Sequence, residues 1–168
     1  LTEVYKMVAL LPGIAAPDVS LRSLQGGPLS LSAALSSSAI VILAFFKVGC
    51  PVCQFIFPYL ERLHQKHPNV PIWGVSQDDS AATAEFAKTY GSSFPILLDD
   101  RLNFSVNYGL TNVPTIFIVG KNGKVGLTSV GFVKADLEEI NRQITELTGN
   151  KLTPLFSEAD DVPALSPG

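Results

Sequence analysis

Ala39-Ile40-Val41-Ile42-Leu43-Ala44-Phe45-Phe46, followed at once by Lys47-Val48-Gly49-Cys50-Pro51-Val52-Cys53, is the stretch on which the reading of this chain turns. Its apolar run is rich in β-branched and aromatic side chains and predicts a strand buried on both faces. A helical pattern follows, with Ile56, Leu60 and Leu63 at spacings of four and three. Pro51 fits the first turn of that helix, where the N–H it lacks would have no partner. Pro58 falls inside the pattern and predicts a kink rather than an end, because the apolar spacing continues past it.

Working outward, residues 70–76 (Val-Pro-Ile-Trp-Gly-Val-Ser) read as a second buried strand. Residues 80–90 read as a helix, with Ser80 as its cap and Gly91 just past its end. Residues 94–98 form a short apolar strand, 102–108 a short helix ending at Gly109, and 115–119 another apolar strand. Lys121-Asn122-Gly123-Lys124 carries the Asn-Gly signal of a tight hairpin into a partner strand at 125–130. A final amphipathic helix spans 134–147, before Gly149. Strands alternating with helices, closed by one hairpin, predict an α/β architecture: a mixed sheet with helices on both faces. From Lys151 the character changes. Three prolines and an acidic patch at Glu158, Asp160 and Asp161 predict an extended or disordered tail, with Leu155 and Phe156 as the side chains able to dock.

Composition narrows the function. The chain has 168 residues, 46% hydrophobic and 16% charged, which supports one well-buried core and excludes a disordered chain. Its net charge of −3 lacks the basic footprint of a general nucleic-acid binder. The longest apolar run stops at Lys47, short of the roughly 20 residues a membrane-spanning helix needs. The opening holds a short apolar stretch, Met7-Val8-Ala9-Leu10-Leu11, and the sequence begins without Met. The compartment is therefore left open: cytoplasm, or export with the signal missing.

Both cysteines of the chain lie in one tetrapeptide. A pair that close cannot staple distant parts of a domain; if the two bond, they bond to each other. At the mouth of a helix, Cys50 sits near unpaired backbone N–H groups and the positive end of the helix dipole, which favour the attacking thiolate. The strand-to-helix junction predicts Cys50 as the exposed attacker and Cys53 as the more buried resolver, held within reach at high effective concentration. Two other readings compete. The pair could be two small buried hydrophobes, or it could bind zinc with His64 and His67, although those histidines have two residues between them where a finger needs three to five. On charge grounds both histidines are expected at the C-terminal end of the helix.

With the cysteine pair stand Phe57-Pro58-Tyr59-Leu60, and later Tyr108-Gly109-Leu110-Thr111-Asn112-Val113-Pro114-Thr115-Ile116-Phe117-Ile118. In this order the motifs resemble the thioredoxin-like redoxins. More narrowly the chain resembles their TlpA-like and AhpC/TSA group, whose opening is similar to Pro12-Gly13-Ile14-Ala15-Ala16-Pro17-Asp18 and whose hairpin is similar to Lys121-Asn122-Gly123-Lys124-Val125. The resemblance implies a thioredoxin fold over residues 1–150, with an N-terminal extension and an irregular tail over 151–168. It also implies a cis peptide bond between Val113 and Pro114, beside the cysteines, with a backbone edge for the partner chain. Gly49 and Pro51 flank the first sulfur, and Gly49 stands where the family has an aromatic, leaving that sulfur more open to large partners.

What the resemblance implies for function is thiol–disulfide exchange through Cys50 and Cys53 on protein or small-molecule disulfides, with an electron donor still to be identified and no cofactor or metal. Ala44 and Ile56 stand where members of the family carry acidic proton acceptors, so the base serving Cys53 is unassigned; water and Lys47, as an electrostatic helper, are the candidates. A peroxiredoxin-type hydroperoxide reductase is the rival, with Cys53 as its peroxidatic cysteine. Cys50 then stands where that group has a threonine, and Pro114 where it has an arginine, which weakens stabilisation of the leaving oxygen. A non-enzymatic redoxin-fold binding module is the third reading.

Overall fold

A computed structural model describes residues 8–168. The apolar opening stretch therefore lies partly outside the described residues, since Met7 precedes them.

A hairpin of β1 (Ser20–Arg22) and β2 (Pro28–Ser30) leads into α1 (Leu31–Leu35). Then come β3 (Ile40–Phe46), α2 (Pro51–Lys66), β4 (Ile72–Ser76), α3 (Ser80–Tyr90), β5 (Ile96–Leu98) and α4 (Asn103–Asn107). The chain continues with β6 (Thr115–Gly120), β7 (Val125–Val130), β8 (Phe132–Val133), α5 (Lys134–Thr148) and, in the tail, β9 (Leu165–Ser166). The central sheet runs β5-β4-β3-β6-β7, so β3 is its middle strand. β3 and β4 are parallel, as are β4 and β5, while β6 runs antiparallel to both β3 and β7.

Every residue of β3 is buried, and its two faces serve different cores. Ile40, Ile42, Ala44 and Phe46 pack with Ile56, Leu60 and Leu63 of α2 and Ile140 and Ile144 of α5. Val41, Leu43 and Phe45 pack with Leu31 and Leu35 of α1, Trp73, Tyr108 and Phe117. The mixed sheet with helices on both faces is thus as predicted. α2 continues through Pro58 without a break, because Phe57, Leu60 and Leu63 keep its buried stripe intact on either side.

The structure corrects the cap of α3. Asp79, not Ser80, is the N-cap, and its carboxylate accepts from the Ala82 N–H at 2.8 Å. Ser80 already has helical backbone, and the more extended Asp79 is the residue whose side chain reaches back over the first turn. The β1–β2 hairpin, α1 and the β8–β9 pair are elements the sequence patterns did not announce, each being five residues or shorter.

The tail is extended and held against the body. Leu155 and Phe156 are 2% and 9% exposed, and the Phe156 ring lies 5.1 Å from that of Tyr59 on α2. Arg62 donates to the Leu155 carbonyl at 3.0 Å and to both oxygens of Asp160 at 2.8 and 3.0 Å. Arg62, with help from the Ser157 backbone N–H, holds the Asp160 carboxyl well below the usual carboxylate range. Beyond a short 3-10 turn, Leu165 and Ser166 pair antiparallel with Val133 and Phe132. Replacing Phe156 by Ala is expected to cost about 2 kcal/mol in urea unfolding through lost apolar burial. It should also open the tail to limited proteolysis ahead of the body; a tail cleaved no faster than before would contradict this docking.

Candidate active site

Strand β3 ends at Phe46, and the turn that follows delivers both sulfurs to the head of α2. Cys50 is the N-cap, Pro51 opens the first turn, and Cys53 lies one turn in. The turn is pinned at Val48: its N–H donates to Asp78 Oδ2 at 2.8 Å, and its carbonyl accepts from Gln54 Nε2 at 3.0 Å. The Cys50 N–H donates to the Lys47 carbonyl at 3.2 Å.

The two sulfurs face different surroundings. Cys50 is partly exposed, and its Sγ accepts from the Cys53 N–H at 3.3 Å. Its thiol also donates to the Val113 carbonyl at 3.4 Å, inside the range for a sulfur hydrogen bond. An N-terminal N–H of the helix is therefore aimed at the Cys50 sulfur, the arrangement that stabilises negative charge there. Cys53 is fully buried in the core between the sheet and α2. Burial pushes its thiol far above the usual range, and the Cys50 sulfur and the Asp78 carboxylate raise it further against a lowering by the Lys47 backbone. Both cysteines are free thiols in this structure.

The Val113–Pro114 peptide is cis. Pro114 is buried, Val113 is partly exposed, and the loop is tied down from both sides. Thr115 Oγ1 donates to the Asn112 carbonyl at 2.7 Å, and the Gly131 N–H donates to the Pro114 carbonyl at 2.8 Å. Of the residues the sequence singled out, the structure brings Cys50, Cys53 and Val113 into contact or near-contact. Gly49 and Pro51 are exposed on either side of Cys50, and nothing stands within 4 Å of where a side chain on Gly49 would begin. Lys47 is exposed. Ala44 and Ile56 are buried apolar neighbours of Cys53 in the same core.

His64 and His67 lie away from the sulfurs. Ten residues of α-helix lie between Cys53 and His64, a rise of about 16 Å along the axis. His67 Nε2 is hydrogen-bonded to Asn141 Oδ1 at 2.8 Å, and the His64 ring meets that of Phe94 edge-on. Among the described residues no group of three or more metal-ligating side chains converges, and no helix is long and apolar enough to cross a membrane.

Asp78 is the member of this site that the sequence reading missed. It follows β4 in an Asp-Asp pair that resembles an ordinary helix-capping sequence. Only the pairing of β4 beside β3, with Phe46 opposite Ser76, carries it to the cysteine turn.

The AhpC/TSA family model matches residues 12–128. The thioredoxin-like protein YneN of Bacillus subtilis is 30% identical over 140 residues, covering 80% of this chain and 81% of that protein. The thiol-disulfide oxidoreductase ResA of Geobacillus kaustophilus is 31% identical over 134 residues, covering 77% and 76%. Among solved structures, a thiol:disulfide interchange protein of the thioredoxin family from Chlorobium tepidum superposes with a TM-score of 0.66 at 25% identity, over 82% of this chain and 99% of that one. The thioredoxin domain of a thiol-disulfide oxidoreductase from Bacteroides vulgatus superposes with a TM-score of 0.71 at 23% identity, over 80% and 98%. The sheet and its helices are a thioredoxin fold.

Changing Asp78 to Asn keeps an acceptor for Val48 but removes a negative charge that opposes ionisation of Cys53. In a Cys50→Ser background, where Cys53 is the sole thiol, the pH at which Cys53 becomes alkylated is expected to fall on making Asp78→Asn. An unchanged or higher alkylation pH would show that Asp78 does not act on this sulfur.

Proposed function

This chain belongs to the AhpC/TSA family, and on that premise we propose that Cys50 is its attacking thiol and Cys53 the thiol that resolves the mixed disulfide. The protein is a thiol–disulfide oxidoreductase with a Cys-Pro-Val-Cys pair. The observation that carries the assignment of roles is the asymmetry of the pair. One sulfur is partly exposed and receives a helix N–H, while the other, one helical turn on, is fully buried.

The chemistry follows in two balanced steps. The Cys50 thiolate attacks one sulfur of a partner disulfide, forming the Cys50–partner bond and releasing the other partner sulfur as thiolate. Cys53 then attacks Cys50 Sγ, forms the intramolecular disulfide and releases the second partner sulfur. Two electrons pass to the partner, and the protons of the two thiols end on its two sulfurs. Run backwards, the same steps oxidise a dithiol partner. Burial of Cys53 keeps it protonated until the mixed disulfide forms, so it does not compete for the incoming partner. The bound partner's departing sulfur, made basic as it leaves, can take the Cys53 proton.

That same burial weighs against the peroxidase alternative, in which Cys53 must meet a hydroperoxide as a thiolate. The partners supported by this reading are proteins carrying disulfides or thiols.

Cys50→Ser is expected to abolish insulin-disulfide reduction, lowering it at least a hundredfold. Cys53→Ser should accumulate a covalent mixed disulfide through Cys50, seen as a mass increase that dithiothreitol removes. A Cys50→Ser variant that consumes hydroperoxide at the unaltered rate, with Cys53 essential, would replace this assignment by the peroxidase one.

A further inference from the structure

The tail does not stop at the aromatic dock on α2. After the 3-10 turn it continues toward the cysteine end of the site, pairing β9 with β8. It then brings Gly168 onto the cis-proline loop. Asn112 Nδ2 donates to the Gly168 carbonyl at 3.2 Å. Gly168 approaches so closely that a Cβ on it would stand 2.0 Å from the Val113 carbonyl oxygen and 3.4 Å from the Pro114 nitrogen. That oxygen is the same atom that accepts from the Cys50 thiol. Gly168 therefore lies against the backbone that borders the reacting sulfur.

We propose that residues 165–168 are a strap occupying the seat of the partner, and that the partner is an extended polypeptide segment which displaces the strap and pairs with β8 in its place. This rests on the reading of Cys50 as the attacking thiol and specifies the kind of partner it meets. Two features support it. The strap is held unevenly: Leu155, Phe156 and the Arg62–Asp160 pair anchor its root, whereas Leu165 is 60% exposed and the ladder to β8 is two residues long. A two-residue ladder with an exposed residue in it is the part of a fold that opens early. Its release also uncovers a strand edge, since among the described residues β8 pairs with β9 alone in its sheet, and an open strand edge recruits an extended peptide through main-chain hydrogen bonds.

The contact at Val113 selects the occupant as well. At this distance only bare main chain fits over the carbonyl, so a partner must present backbone with a small residue there. A small disulfide lacking a backbone gains nothing from the β8 edge.

Two variants of the chain test the strap. In Gly168→Val the new side chain cannot share space with Val113, and in Ser166→Pro the residue opposite Phe132 loses its N–H. Both are expected to raise insulin-disulfide reduction at least threefold. Reaction of Cys50 with the small aromatic disulfide DTNB should stay within twofold of the unaltered chain. Insulin reduction unchanged or slower in both variants, with DTNB reacting normally, would overturn the strap while leaving the role of Cys50 intact. A Cys50 inert to DTNB in the unaltered chain would remove the underlying assignment, and the strap with it.

Discussion

The hydrogen bond from the Cys53 N–H to the Cys50 sulfur ties the fold to the chemistry, and the rest of the molecule is arranged so that it forms. It requires Cys50 at the N-cap and Cys53 one turn later, and it requires α2 to start where β3 stops. β3 can end there because both of its faces are covered, so its position in the sheet is over-determined by two separate cores. The Cys53 side chain belongs to one of those cores. Packing that stabilises the fold therefore also keeps the second sulfur dry and protonated, while the capping position keeps the first one accessible.

Around that bond, polar groups divide their work between holding backbone and setting charge. Asp78 does both: it accepts from Val48, fixing the turn, and its charge opposes ionisation of the buried thiol. The Val113 carbonyl is likewise shared, meeting both Cys50 and Gly168. The consequence is a site whose border is made of main chain, supplied by the cis-proline loop and by the tail.

Much of this was legible in the sequence where burial leaves a strong pattern. Residues 39–46 could only be an interior strand, and the spacing of Ile56, Leu60 and Leu63 fixed the buried face of α2. The family resemblance supplied the cis peptide at Pro114, which spacing does not reveal. Short elements were not legible. β1, β2 and β9 are two or three residues long and draw their stability from pairing, so no period of their own marks them. Asp79 and Ser80 are both good capping residues, and only the backbone shows which one stands outside the helix. Asp78 reaches the cysteine turn through strand order, and Gly168 reaches the Val113 carbonyl through a tail that folds back. Both are contacts between residues far apart in the chain, carried by no local pattern.

Two sulfurs three residues apart differ in exposure and surroundings, and that difference decides which one reacts. The most direct test is to treat the reduced, native protein at neutral pH with less than one equivalent of iodoacetamide and to map the label by peptide mass spectrometry. Label confined to Cys50, reaching Cys53 only after denaturation, is the result this structure predicts. Label on Cys53 first, or shared equally between the two, would contradict it.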